Sequence, residues 1–205
     1  MPPLHCQILP SFDFKNRDSL LAAFAGISPI AMGQAWLAAP EPDFLPAEVR
    51  FGRQENSLIV SATMPDLDIF TKATDANQRT WKLGDVFEMF LKPEGEDFYR
   101  ELHITPANTR TQLAFAAEGA PGEFLHDGIF ASHVWIESGY WQVLAAIPAA
   151  VVTGREEISP GEKWRFSFCR YDAFQDDRQP ILSSTSPHPV PKFHRPAEWG
   201  VMVFD

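Results

Sequence analysis

Cysteine and tyrosine are scarce in this sequence, and long hydrophobic runs are absent. Only two of the 205 residues are cysteine, Cys6 and Cys169, which allows one bridge and no disulfide framework. Cys169 lies within a strand-like pattern, so a reduced and buried thiol is expected there. No Cys-x-x-Cys and no His-Glu-x-x-His motif occurs, and a structural zinc site is therefore not predicted. The longest apolar segments, 20–25 and 143–152, are too short to cross a membrane.

Basic residues are also scarce. Seventeen Lys and Arg against 27 Asp and Glu give a formal net charge of -10, and no basic cluster is longer than a pair. Nucleic acid and membrane surfaces are therefore not expected as partners. Residues 1–5 have neither the charged region nor the apolar region of a signal peptide. The residues alone thus leave the location unknown, either the cytoplasm or a compartment reached after removal of a leader.

The abundant residues are typical of a protein built from strands. The 17 Phe and 6 Trp supply core material, and 18 Pro against 12 Gly favours short segments with sharp ends. Nine segments have strand-like composition and alternation, with turn residues between them: 48–53, 57–63, 86–93, 98–105, 111–116, 130–137, 141–147, 164–171 and 199–204. We predict an all-β fold, a two-sheet antiparallel β-sandwich of jelly-roll or immunoglobulin-like type with a few short helical turns.

The N-terminal part has less regular patterning. Residues 18–24 are expected to form a short helix with Ser19 or Asp18 as its N-cap. We interpret residues 1–35 as an N-terminal extension packed on a β-sandwich formed by residues 36–205.

The strand 86–93 is the most informative segment, because its two faces differ. One face is apolar and is predicted to lie in the core: Phe87, Met89 and Leu91. The other face places Glu88 between Val86 and Phe90, with Trp81 just upstream. A carboxylate beside aromatic side chains is suited to a ligand platform, and the alternative is a solvated strand face.

The following strand, 98–105, fixes the pairing register. Alignment of the apolar residues pairs Met89 with Leu102 and Phe87 with Ile104. The same register sets Glu88 opposite His103, and Phe90 opposite Glu101. A carboxylate and an imidazole at this distance can hydrogen-bond each other or share a ligand hydroxyl.

Five segments in this order resemble family 9 carbohydrate-binding modules. They are 85–93 (DVFEMFLKP), 98–106 (FYRELHITP), 140–148 (YWQVLAAIP), 161–170 (GEKWRFSFCR) and 193–200 (FHRPAEWG). The resemblance covers roughly residues 36–205. It implies a non-catalytic β-sandwich that binds terminal sugars of plant polysaccharides, usually attached to a glycoside hydrolase and often containing structural calcium. It also implies a secreted or periplasmic protein whose partner is a mono- or oligosaccharide.

The resemblance also implies site residues. In the family, two aromatic side chains sandwich a pyranose ring, and those positions fall on Trp81 and Phe193. The polar strand positions fall on Glu88 and His103, the pair that the register had already brought together.

The sequence departs from the family pattern at several positions. Phe193 stands where sugar-binding members commonly have Trp, and His103 where many have a sugar-binding Arg. Ser167 and Leu144 replace a family Asn and Glu, and residues 183–184 are both Ser in place of a Ser-Trp pair. These departures bear on sugar specificity rather than on the fold.

Other interpretations stay open at this point. The fold could serve as an interaction or scaffold domain whose sugar site has been lost, with His103 bonded only to Glu88 and Phe193 plugging the sandwich. Glycoside hydrolysis would need paired carboxylates, for which there are three candidates: Asp85, Glu88 and Glu101. Haem binding would need a methionine, Met64 or Met89, beside His103. A calcium site would draw on acidic residues of the 65–79 loop: Asp66, Asp68 and Asp75. The oligomeric state is unknown.

Overall fold

The computed structural model describes residues 2–176 and 178–205, and these form thirteen strands and two short α-helices. In chain order the elements are β1 (Leu4–Cys6), α1 (Arg17–Ala23), β2 (Ile30–Ala31), β3 (Glu48–Gln54), β4 (Ser57–Pro65), β5 (Val86–Pro93), β6 (Tyr99–Ile104), β7 (Arg110–Phe115), β8 (Glu123–Phe124), β9 (Ala131–Glu137), β10 (Tyr140–Pro148), α2 (Ala149–Thr153), β11 (Lys163–Asp172), β12 (Ile181–Ser184) and β13 (Gly200–Phe204).

The strands form two sheets that face each other. The larger sheet has the order β1-β13-β11-β5-β6-β7-β8, with β12 also paired to β11, and the smaller has the order β2-β3-β4-β10-β9. All strand pairs are antiparallel except β1 with β13. The predicted all-β antiparallel sandwich is confirmed.

The core lies between the sheets, and alternation along each strand supplies it. Phe87, Met89 and Leu91 of β5 are fully buried there against side chains of the smaller sheet such as Val60 and Val143. Burial of one such side chain contributes about 1.5–3 kcal/mol. The predicted register between β5 and β6 is confirmed at all four positions: Phe87 with Ile104, Glu88 with His103, Met89 with Leu102, and Phe90 with Glu101.

The N-terminal segment contributes to both sheets. β1 adds a parallel edge strand beside β13, and β2 pairs with β3. Helix α1 was predicted, but its cap residue was not: Asn16, rather than Ser19 or Asp18, accepts from the backbone N–H of Ser19 at 3.1 Å. An Asn side chain at this position satisfies one of the free N–H groups of the first turn. Leu20 and Phe24 then pack against the outer face of the smaller sheet.

Two loops cover the outer face of the larger sheet, so β5 is buried on both faces. The first loop joins β4 to β5 and contains Trp81. It depends on Gly84, whose φ of 140° suits glycine, and an added Cβ would lie 2.6 Å from the Phe70 carbonyl oxygen. The second loop joins β12 to β13 and contains Phe193. The alternative of a solvated face around Glu88 is therefore wrong, since Glu88 is only 3% exposed.

Both thiols, Cys6 and Cys169, are free and buried, as expected for Cys169. Within the described part of the chain, no helix has the length and apolar character needed to span a bilayer.

Candidate functional site

A cleft of about 570 Å³ opens on the outer face of the larger sheet. Its floor is formed by β5, β6 and β7, and its walls by the two loops and β8. Side chains from all of these elements reach it, including Trp81, Glu88, Glu101, Phe124, Phe193 and His194. The sequence therefore brings aromatic and acidic side chains to one depression of the surface, a composition common in small-molecule sites.

The floor of the cleft follows from strand alternation. Glu88 and Phe90 alternate with the core residues of β5, and Tyr99, Glu101 and His103 do the same in β6. Because side chains two apart share a face, the β5–β6 pair sets Glu88, Glu101 and His103 side by side.

These three side chains form a buried acid–imidazole cluster. His103 Nε2 lies 2.7 Å from Glu101 Oε1 and 3.4 Å from Glu88 Oε1. His103 is fully buried, and Glu88 and Glu101 are 3% and 5% exposed. Carboxylates so far from solvent need a cationic or hydrogen-bonding partner, and here they share one imidazole.

A chain of hydroxyl groups orients the imidazole from its other side. Thr111 Oγ1 donates to the Gln78 carbonyl oxygen at 2.6 Å, and Thr80 Oγ1 lies 3.4 Å from Thr111 Oγ1. His103 Nδ1 lies 2.8 Å from Thr80 Oγ1. Because the carbonyl can only accept, Thr111 must donate to it, and Thr80 is left to donate to Thr111 and accept from Nδ1–H. With a second proton on Nε2 facing Glu101, this arrangement fits an imidazolium.

The electrostatics agree with that assignment. Desolvation lowers the pKa of His103, but the charge of Glu88 and the hydrogen bond and charge of Glu101 outweigh it, so the net pKa is raised. Burial raises the pKa of Glu88 to about 8, opposed by the charge of His103 and reinforced by that of Glu101. Near neutral pH the cluster therefore contains an imidazolium–carboxylate pair beside a Glu88 that holds its proton.

The second oxygen of Glu101 has no hydrogen-bond partner, although it is buried. His194 Nε2 lies 3.6 Å from it, slightly beyond hydrogen-bonding distance. Tyr99 Oη lies 2.8 Å from His194 Nδ1 and holds the ring in place. Desolvation lowers the pKa of His194, the charge of Glu101 partly opposes this and the charge of His103 adds to it, so the neutral imidazole is favoured near pH 7.

The four predicted site residues have different positions. Trp81, Glu88 and Phe193 line the cleft, whereas His103 lies beneath its floor. The half-buried Trp81 contacts the His103 ring in a T-shaped arrangement, with centroids 5.4 Å apart and planes at 81°. The structure thus brings Trp81, Glu88 and His103 together in one group.

Phe193 is 4% exposed and is packed among other aromatic rings. Its centroid lies 6.2 Å from that of Trp36, 6.3 Å from Phe90 and 6.0 Å from Tyr171. The indole N–H of Trp199 donates to the Phe193 carbonyl oxygen at 2.8 Å, which anchors the loop. Little of the Phe193 ring face is available to a ligand, and its role as a stacking partner stays a prediction.

Three further residues of the cleft were not among the predicted site residues. Glu101 was considered only as a hydrolytic carboxylate, although it shares a face with His103 two positions away and could have been included in the sugar site. His194 lies in a proline-rich loop without periodicity, so its position beside Glu101 could not be predicted. Phe124 is 50% exposed at the cleft wall and lies on the two-residue strand β8, too short to be predicted.

A second buried acidic cluster lies near the end of β11 that is next to the start of β5. Arg170 Nη2 contacts Asp172 Oδ1 at 2.8 Å and Asp66 Oδ2 at 3.2 Å. The third aspartate, Asp85, accepts from the backbone N–H groups of Phe70 and Ala173 at 2.7 and 2.8 Å. We refer to Asp66, Asp85, Asp172 and Arg170 as the aspartate cluster, and to Glu88, Glu101 and His103 as the glutamate cluster.

The calcium candidates do not assemble as the sequence suggested. Asp66 is grouped with Asp85 and Asp172 rather than with Asp68 and Asp75. Asp68 instead accepts from the Gln175 backbone, and Asp75 from Thr74. Arg170 provides a buried positive charge beside Asp66 and Asp172 of the aspartate cluster. Structural calcium stays a prediction.

One alternative lacks the geometry it needs, and another loses one of its three candidate residues. Met64 and Met89 are both in the core between the sheets, whereas His103 is on the opposite face of the larger sheet. The methionine–histidine haem arrangement is therefore wrong. Asp85 belongs to the aspartate cluster, which leaves Glu88 and Glu101, bridged by His103, as the only candidate carboxylate pair from the sequence.

No protein-family model and no curated protein matches this sequence. Solved structures do match it. A proposed carbohydrate-binding protein from Bacteroides uniformis superposes with a TM-score of 0.82 at 18% identity, over 99% of both chains. A family 9 carbohydrate-binding module from Caldicellulosiruptor kristjanssonii, solved with cellotriose and with glucose, superposes at 0.69 and 13% identity over 98% of this chain and 92% and 94% of the respective structures. The chain therefore has the β-sandwich fold of family 9 carbohydrate-binding modules.

Proposed function

We propose that the protein is a non-catalytic carbohydrate-binding module that holds a terminal sugar of a mono- or oligosaccharide in the cleft. The supporting observation is that a half-buried Trp81 lines the same cleft as Glu88 and Glu101. The proposal places the protein outside the cytoplasm, secreted or periplasmic, where polysaccharides occur. The two Caldicellulosiruptor structures, which contain cellotriose and glucose, suggest which sugars to test first.

The chemistry of the cleft suits a sugar ring. An indole face packs against the apolar C–H surface of a pyranose, while carboxyl groups bond its hydroxyls. Glu88 and Glu101 offer such groups at the cleft floor, and His103 holds Glu101 in position from below. His103 would act through Glu101, since it is not itself at the surface of the cleft.

A second candidate is an interaction or scaffold domain that no longer binds sugar. Two observations favour it: Phe193 is almost fully covered, and His194 stands over the free oxygen of Glu101. For a sugar ring to bind despite these two features, the ring would have to stack on Trp81 alone, or the β12–β13 loop would have to move.

Calorimetric titration with glucose, cellobiose, cellotriose and xylo-oligosaccharides separates these candidates. We expect Trp81→Ala to weaken binding of the best ligand by about tenfold or more, since aromatic contacts of this kind contribute on the order of 1–2 kcal/mol. Trp135→Ala, on β9 of the other sheet, is the matched control and should leave affinity unchanged. Absence of binding at millimolar sugar, or equal affinity of Trp81→Ala, would favour the scaffold domain. Turnover of aryl glycosides would contradict the non-catalytic assignment.

A further inference from the structure

We propose that four side chains at the floor of the cleft bind one divalent transition-metal ion of the zinc class: Glu88, Glu101, His103 and His194. The inference goes beyond the proposed sugar binding and does not depend on it. Three features of the cleft support the site: the positions of the donor atoms, the groups that orient them, and a buried carboxylate oxygen without a hydrogen-bond partner.

Three of the four donors already lie together, since one ligand atom each from Glu88, Glu101 and His103 lies within 4.8 Å of the others. His103 Nε2 lies 2.7 Å from Glu101 Oε1 and 3.4 Å from Glu88 Oε1, and His194 Nε2 lies 3.6 Å from Glu101 Oε2. In a tetrahedral zinc site with bonds of about 2.0–2.1 Å, ligand atoms are about 3.3 Å apart. These three separations bracket that distance, and His194, which lies next to the second oxygen of Glu101, would have to move toward the other three donors to complete the site.

Both imidazoles are oriented from behind by a hydrogen bond to Nδ1. Thr80 Oγ1 lies 2.8 Å from Nδ1 of His103, and Tyr99 Oη lies 2.8 Å from Nδ1 of His194. Each bond turns Nε2 toward the carboxylates. Histidine ligands of protein metal sites typically have such a partner on the other ring nitrogen, which fixes the ring and its tautomer.

Glu101 provides the independent observation. Its Oε2 is buried without any hydrogen-bond partner, and the residue is 5% exposed. An unpartnered carboxylate oxygen in this setting costs free energy, and a bound cation would remove that cost. The ion would also replace the proton held between His103 and Glu101 and the proton on Glu88, so the imidazole would bind in its neutral form, Glu88 would bind as its carboxylate, and both protons would pass to solvent.

The donor set indicates the class of metal. Two imidazole nitrogens with two carboxylate oxygens suit Zn²⁺, Co²⁺ or Fe²⁺, whereas Ca²⁺ and Mg²⁺ prefer a shell of oxygens only. The aspartate cluster contains no histidine and is occupied by the Arg170 guanidinium, so it is not expected to compete for these ions.

The test uses the untagged full chain, dialysed against EDTA and then titrated with ZnCl₂ by calorimetry and with CoCl₂ by visible absorption, without sugar. We expect one equivalent to bind, with intense Co²⁺ bands typical of four-coordination. His194→Gln and Glu101→Gln should each weaken binding by at least about tenfold, and Tyr99→Phe by about tenfold as an orienting residue. His126→Gln, at an exposed site outside the cleft, is the matched control and should bind as wild type.

Several outcomes would overturn the proposal. They are absence of stoichiometric binding, equal affinity in His194→Gln and Glu101→Gln, or loss of binding in Asp66→Asn instead. If His103→Gln fails to fold, the partly exposed His194 still decides the result. Repetition of the sugar titrations with metal-free and zinc-loaded protein separates the two proposals. Metal binding without sugar binding would refute only the sugar site, and the converse would refute only the metal site.

Discussion

The larger sheet contains two buried acidic clusters. They are similar in composition but differ in the hydrogen-bond partners of their carboxylate oxygens. Each pairs more than one carboxyl group with a single basic side chain. In the aspartate cluster the base is Arg170, which contacts Asp66 and Asp172. In the glutamate cluster the base is His103, which contacts Glu88 and Glu101.

The difference lies in the remaining oxygen atoms. Both oxygens of Asp85 accept backbone N–H groups, and Asp66 accepts one from Asp68 and one from Arg170. One oxygen of Glu101 has no partner and lies beneath a cleft. We infer that the aspartate cluster joins the loop before β5 to the end of β11 and serves the fold, whereas the glutamate cluster is left open for a ligand.

Removal of Arg170 from the aspartate cluster should have the largest effect on stability. Arg170→Met leaves Asp66 and Asp172 buried without their cation, and loss of one partner from a buried ion pair typically costs about 3–5 kcal/mol. We expect the free energy of unfolding in urea to fall by that amount at pH 7.5. The loss should be smaller at pH 5, where the freed carboxylates can take up protons.

Arg178→Met is the control for this prediction. Arg178 pairs with Asp43 and Asp176 at the surface, where ion pairs contribute little, and the substitution should leave the unfolding midpoint nearly unchanged. Equal stability of Arg170→Met and Arg178→Met would show that the aspartate cluster does not hold the fold together.

Neutralisation of Glu101 in the glutamate cluster should affect ligand binding more than stability. Glu101→Gln retains an oxygen that can accept from His103, so the free energy of unfolding should change by less than about 1.5 kcal/mol. The affinity for sugar should fall by about tenfold or more, since a charged hydrogen-bond acceptor is lost at the cleft floor. Urea unfolding and calorimetric titration of the same preparation measure both quantities. A large stability loss with unchanged affinity would reverse the roles assigned to the two clusters.

The sequence was sufficient to predict the sandwich and the pairing of β5 with β6. A slip by one residue would move Phe87 and Met89 out of the core, so only one register satisfies the alternation, and that register places Glu88 beside His103. The short strands β1, β2, β8 and β12 could not be predicted, because two to four residues are too few to show alternation.

The positions of the Phe193 and His194 side chains at the cleft wall could not be predicted from the sequence either. Phe193 and His194 are adjacent in a loop, yet one ring is buried among aromatics and the other faces Glu101. Their positions depend on the tertiary contacts of Tyr99 and Trp199, which no local pattern specifies. Burial of the outer face of β5 could not be predicted for the same reason. The loops that cover it are held by contacts between residues far apart in the sequence.

The smallest expected effect is a change in the pH dependence of stability on substitution of Asp172 in the aspartate cluster. Burial raises the pKa of Asp172 from 3.8 to about 7, with partial opposition from Arg170. Between those pH values the folded state holds a proton that the unfolded state has released, so the contribution of Asp172 to stability falls as pH rises from about 4 to 7. Asp172→Asn removes this proton but retains the acceptor for Arg170. Urea unfolding at pH 5 and pH 8 should therefore show a shallower decline in the variant than in wild type, by on the order of 1 kcal/mol. Identical slopes would show that Asp172 is ionised throughout, with Arg170 compensating its charge in full.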